Sequence, residues 1–149
     1  MQNRDEQIDK LQTLLNRAYD SHNGYSEAAD SVDNRSLKLF LFNVSLERKD
    51  MIQVLSDQIR SLGGEPNDSG SIKGALHRTW LNVKSALSSD TEESVLEECL
   101  RGERTFIEDY MEVLQENVLP REVQNVLSRQ LGLVQERVKK LESLETEVA

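Results

Sequence analysis

The chain has 149 residues, a net charge of −9 and an apolar content of 37%, which fits one acidic domain with a core of its own. We therefore treat residues 1–149 as a single domain. A chain with no basic face has nothing with which to displace the counterions of phosphates, so nucleic acid is not an expected partner.

The location of the protein is predicted from its cysteine content and apolar runs. Its one cysteine, Cys99, cannot form an internal disulfide and suits a reducing compartment. The longest apolar run extends only from Leu39 to Phe42, so neither a signal peptide nor a membrane span is predicted. The expected location is the cytoplasm.

The first two predicted helices cover about residues 4–33 and 36–63, where apolar residues recur every three or four positions. His22 lies on the stripe of the first helix, and Glu47 and Arg48 replace one apolar turn in the second. The stretch Gly63-Gly64-Glu65-Pro66 is typical of a helix end followed by a loop.

A shorter helix is predicted at about residues 71–88, followed by longer helices at about 91–118 and 121–147. Asp90 is the candidate N-cap of the helix at 91–118, and Pro120 opens the last helix. Glu103 interrupts the apolar stripe of the helix at 91–118. Because no segment alternates with period two, the sequence predicts an all-α protein.

Loop lengths predict the topology. The connections near residues 34 and 119 are short, so each joins two antiparallel neighbours. The connection between the helices at 36–63 and 91–118 is long enough to return the chain along the bundle. These two helices should therefore run parallel, in a ferritin-like four-helix bundle whose crossover carries the short extra helix.

A polar layer is predicted inside the bundle. Counting residues from the loops brings one level of side chains together: His22, Glu47, Glu103 and either Glu136 or Arg137. A buried carboxylate needs a partner, and two kinds of partner remain open. One is an ion-pair network with His22, Arg48 or Arg137. The other is iron or a similar divalent ion, for which the candidate ligands are Glu47, Glu103, His22 and Glu136.

Two groups of residues carry a resemblance to a known family. The first is Gly63-Gly64-Glu65-Pro66 with Gly70-Ser71, Gly74 and His77-Arg78-Thr79-Trp80, and the second is Glu98-Cys99-Leu100-Arg101-Gly102-Glu103 with Tyr110. With them the chain resembles, over nearly its whole length, a bacterial family of ferritin-like four-helix-bundle proteins of unknown function. The resemblance implies a ferritin-like fold and brings no activity with it.

The expected function follows from the ligand count. A di-iron bundle takes a Glu-x-x-His pair from each of two helices, whereas the helix at 121–147 has no such pair. We therefore expect no cofactor and a non-enzymatic protein, structural or stress-associated, that acts through association. The alternative is a metal-carboxylate protein.

Leu39, Phe40 and Phe42 give the helix at 36–63 more apolar surface than one stripe requires, which predicts a homodimer.

Overall fold

The structure is a computed structural model, and it describes residues 2–67 and 92–148. These ranges form four helices: α1 (Gln2–Ser31), α2 (Arg35–Ser61), α3 (Glu92–Glu116) and α4 (Arg121–Val148). Each boundary lies within about two residues of its prediction, and the all-α class is confirmed. The helix predicted at 71–88 and the predicted N-cap Asp90 lie outside the described residues. None of the four described helices is both long and apolar enough to cross a membrane.

The turn between α1 and α2 is closed by side chains. Asn34 is the N-cap of α2, and its side-chain oxygen accepts a hydrogen bond from the Leu37 amide at 3.0 Å. Lys38 donates from Nζ to the Ala29 carbonyl at 2.7 Å, which satisfies a free carbonyl at the end of α1. The two helices therefore leave this turn as antiparallel neighbours.

The end of α2 has the hydrogen bonds of a Schellman motif. The Gly64 amide donates to the Ile59 carbonyl, and the Gly63 amide donates to the Arg60 carbonyl, both at 2.9 Å. Gly63 has a φ of +88°, a conformation that residues with a Cβ rarely adopt. The Gly-Gly pair in the sequence therefore ends the helix for a defined steric reason.

Polar and ionic contacts between neighbouring helices give the direction of every helix. In all of them the residue number rises along one helix as it falls along the other, so the four neighbouring pairs are antiparallel. The contacts are His22–Ser45 and Lys38–Ala29 for α1 and α2, Lys10–Glu116 and Arg17–Asp109 for α1 and α3, Arg137–Glu47 and Gln130–Met51 for α2 and α4, and Tyr110–Gln130 and Arg104–Glu142 for α3 and α4.

The diagonal pairs therefore run parallel. Because α2 and α3 are both antiparallel to α1, they point in the same direction, as the length of their connection predicts. This is the predicted ferritin-like arrangement. The four apolar stripes meet in one core, and the largest fully buried side chain of the described residues is not apolar but the arginine Arg48.

Candidate functional site

A buried ion pair joins two diagonal helices across the middle of the bundle. Arg48 on α2 donates from Nη2 to Oε2 of Glu103 on α3 at 2.5 Å, and the two side chains are only 1% and 0% exposed. Glu103 is thus buried as the sequence predicts. Its partner is Arg48, which directly follows Glu47 in the sequence of α2.

Aromatic rings flank the guanidinium. The Cζ atom of Arg48 lies 5.6 Å from the ring centroid of Tyr25 on α1 and 5.6 Å from that of Phe106 on α3. A cation over an aromatic face at this distance is attracted by the ring quadrupole, and more strongly where water is excluded. The rings therefore stabilise a charge that would otherwise be costly to bury.

Burial and ion pairing act in opposite directions on the two charged groups. Burial raises the pKa of Glu103, although the Arg48 guanidinium and the Tyr25 hydroxyl both act to lower it. Burial is the largest single cause and acts to lower the pKa of Arg48, but the Glu103 carboxylate together with Tyr25, Tyr110 and Glu47 outweighs it, and the pKa of Arg48 is raised. Arg48 therefore keeps its charge, and Glu103 is the group of the pair that can titrate.

A second ion pair lies at the edge of the same layer. Arg137 on α4 contacts Glu47 on α2 with two hydrogen bonds, from Nε to Oε1 at 2.8 Å and from Nη2 to Oε2 at 2.5 Å. The two side chains are 25% and 33% exposed. The expectation that Glu47 is buried in the core is therefore wrong, because its position on α2 faces the rim next to α4.

The other two predicted ligands have different surroundings. The Nδ1 atom of His22 lies 2.9 Å from the Ser45 carbonyl oxygen and 3.1 Å from the Ser45 hydroxyl, so this ring connects α1 to α2. Glu136 is exposed on α4, whereas the neighbouring Arg137 reaches the layer. Of the two residues that counting left open at this level, the structure brings in the arginine.

The predicted metal ligands do not fit a di-iron centre. Among residues 2–67 and 92–148, no three His, Cys, Asp or Glu side chains are grouped so that they could hold a metal ion. Glu103 and Glu47 each neutralise a guanidinium, and a metal ion at either carboxylate would lie next to a fixed positive charge. The described layer is thus built from ion pairs.

A hydrogen-bonded chain beside the layer was not predicted. The Tyr110 hydroxyl donates to Oε1 of Gln130 at 2.7 Å, and Nε2 of Gln130 donates to the Met51 carbonyl oxygen at 3.4 Å. A buried tyrosine needs a partner for its hydroxyl, which is the signal that could have indicated Gln130. This chain connects α3, α4 and α2 next to the ion pair.

The one cysteine belongs to the core rather than to a reactive site. Cys99 is fully buried on α3. Burial is the largest cause that raises the pKa of its thiol, and the Glu103 carboxylate raises it further. Because the thiolate is the reactive form, this side chain acts as a small apolar residue.

Comparison with known proteins places this geometry in a family. The crystal structure of ferritin-like, diiron-carboxylate proteins from Bacillus anthracis str. Ames is similar, with a TM-score of 0.78 and 19% sequence identity over 97% of this chain and 99% of that chain. This likeness confirms the ferritin-like fold. No curated protein matches the chain. A family model described as Domain of unknown function (DUF2383) matches residues 6–117, and the chain therefore belongs to that family.

Proposed function

We propose that this protein is a non-enzymatic ferritin-like bundle with a structural or stress-associated role, which it performs by associating with another protein surface. The observation that carries the proposal is the position of Arg48, fully buried in the bundle and paired with Glu103. A guanidinium stays protonated at any physiological pH. A permanent cation beside this carboxylate therefore supports a layer held by ion pairs rather than by a metal ion.

The ion pairs give the bundle a register. A one-turn slide of α2 against α3 would move Arg48 by about 5.4 Å and leave a buried cation without its carboxylate. Breaking a buried pair in this way costs about 3–5 kcal/mol. Such a layer supports a role in which the bundle presents a fixed surface and does not change shape.

One observation favours the alternative, a protein that binds a metal ion through carboxylates. The hydrogen bond from Arg48 goes to Oε2 of Glu103 and leaves Oε1 without a guanidinium partner, so this carboxylate, which the Tyr25 hydroxyl also stabilises, keeps one oxygen that a metal ion could share. The similar protein from Bacillus anthracis is called a diiron-carboxylate protein. The two functions differ in metal content, which can be measured directly.

The test is a metal analysis joined to thermal unfolding. The protein is purified without chelator, its metal content is determined, and its melting temperature is followed while ferrous iron is added without oxygen. We expect less than one tenth of a metal ion per chain and no shift, whereas a ligand at a hundred times its Kd would stabilise the fold by about 2.7 kcal/mol. One or more ions per chain, lost in the variant Glu103→Gln, would establish the metal-carboxylate function instead.

A further inference from the structure

The outward face of α2 carries an apolar surface that the bundle does not use. Leu39, Phe42 and Leu46 are 53%, 48% and 44% exposed, and their spacing of three and four residues places them on one face of the helix. This face is turned away from the core, which α2 reaches through Leu41, Val44 and Arg48. In an acidic chain with a net charge of −9, a contiguous apolar face of this kind is typical of an interaction site.

Two exposed charges of opposite sign stand at the ends of the apolar face. Arg35 is the first residue of α2 and precedes Leu39 by four residues, while Asp50 follows Leu46 by four residues. Within the described parts of the chain, neither Arg35 nor Asp50 has an ion-pair partner. Lys38, the other cation at this end of α2, already donates to the Ala29 carbonyl.

Leu39 and Leu46 lie at equal distances from one point on α2, and so do the two end charges. The midpoint lies between Phe42 and Asn43, and reversing the helix about it exchanges Leu39 with Leu46. The same reversal exchanges Arg35 with Asp50, so each charge takes the place of its opposite. A face with this pattern is complementary to an antiparallel copy of itself, which is the requirement for a two-fold symmetric interface.

We propose that the chain forms a homodimer in which α2 packs antiparallel against α2 of a second copy, with its two-fold axis between Phe42 and Asn43. Leu39 of each copy lies against Leu46 of the other, and Arg35 of each copy pairs with Asp50 of the other. The exposed Lys49 follows Phe42 by seven residues and lies on the same side of α2; the same reversal places it opposite Ser36, which carries no charge. The proposal rests on the proposed function, because it names the surface and the partner through which the bundle associates.

The apolar part of the interface is tested with two matched variants. Leu46→Glu places a charge in the apolar face, and Leu133→Glu makes the same change at a leucine of similar exposure, 41% against 44%, in the groove between α2 and α4. Light scattering across a concentration series should give a dimer for the parent and for Leu133→Glu, and a monomer for Leu46→Glu. A monomeric parent at high micromolar concentration, or loss of the dimer in Leu133→Glu alone, would overturn the proposal.

The charged part is tested by reversal at low ionic strength, where exposed charges are least screened. Arg35→Asp and Asp50→Arg should each weaken the dimer about tenfold, since every dimer contains the pair twice. A mixture of the two single variants should form mixed dimers, because opposite charges then meet at both ends. The double variant Arg35→Asp/Asp50→Arg should dimerise like the parent. Single variants without effect, or a mixture that forms no mixed dimer, would contradict the antiparallel arrangement.

Failure of the dimer and failure of the proposed function give different results. A monomeric protein without bound metal overturns only the α2 interface. A dimeric protein with stoichiometric metal that Glu103→Gln abolishes overturns the non-enzymatic function and leaves the interface intact. Measuring metal content and mass on the same preparation separates these outcomes.

Discussion

Glu47 and Glu103 carry the same carboxylate in two different environments. Glu103 has no exposed surface and faces Arg48 between aromatic rings, whereas a third of the Glu47 side chain is exposed where it meets Arg137. An ion pair in contact with water is worth little, while removal of one partner from a buried pair leaves a charge that nothing solvates. The two glutamates should therefore respond differently to the same substitution.

Replacement of each glutamate by glutamine measures this difference. Glu103→Gln leaves Arg48 buried without a counter-charge and should lower the free energy of unfolding by about 3 kcal/mol or more. Glu47→Gln is the matched control and should cost no more than about 1 kcal/mol. Urea unfolding at neutral pH provides both values. A Glu103→Gln protein as stable as the parent or more stable would indicate carboxylates that repel one another, as in an empty metal site.

The pH dependence of stability reports the charge on Glu103. Because the pKa of this group is raised in the fold, the folded state holds a proton that the unfolded state has released at pH values between the ordinary pKa of a glutamate and the raised one. Its contribution to stability is complete below the ordinary pKa of a glutamate and is lost as the pH rises through the raised value. The Arg48 guanidinium limits this loss, since it acts to lower the pKa of Glu103.

Arg48→Met should therefore destabilise the fold more at neutral pH than near pH 5. Without the guanidinium the pKa of Glu103 rises further, and more of the stability is lost between these two pH values. The control is Arg48→Met/Glu103→Gln, which has no carboxyl at this position and should lose the additional pH dependence. Unfolding curves at both pH values measure the loss in free energy of unfolding that Arg48→Met causes. An equal loss at both pH values would mean that Glu103 does not titrate between them.

The sequence located this layer more accurately along the bundle than around it. Counting from the loops found the level of Glu103 and Arg137, since each residue advances a helix by a fixed rise. It could not choose between Glu136 and Arg137, which point about 100° apart on the helix surface. The rim position of Glu47 was missed for the same reason, because its direction depends on how α2 is rotated toward α4.

At the scale of single helices, boundaries follow from local chemistry. Asn34 closes the start of α2 and Gly63 its end through hydrogen bonds that involve neighbouring residues only. Such contacts can be predicted from a short stretch of sequence. The boundaries of all four helices were accordingly predicted closely.

Two glycines should respond in opposite ways to the same change. Gly63→Ala should lower the free energy of unfolding by about 1 kcal/mol, because Gly63 has a φ of +88° and a Cβ there would lie 3.2 Å from the Arg4 guanidinium carbon. Gly132 lies within α4, and a Cβ added there would have nothing within 4 Å. Gly132→Ala should therefore raise the free energy of unfolding by about 0.5–1 kcal/mol. Thermal unfolding tests both, and a stabilised Gly63→Ala protein would contradict the Schellman end of α2.

At the scale of the whole molecule, loop lengths were enough to predict that α2 and α3 run parallel. The sequence contains no comparable rule for which side chains meet between the two hairpins α1–α2 and α3–α4. The pairing of Tyr110 with Gln130 depends on the rotation of both helices at once, and so does the choice of Arg48 as the partner of Glu103. These contacts depend on how all four helices pack together, which no short stretch of the sequence determines.

The location of Arg48 and Glu103 on different hairpins has a consequence for the order of folding. Each hairpin can form from contacts close in sequence, which form early because little chain entropy is lost. The two charges can shed their water only when the hairpins dock, since the partner of each lies on the other hairpin. A docking that is out of step by one turn leaves both charges buried and unpaired. The pair therefore destabilises misassembled intermediates at the step in which the two hairpins dock.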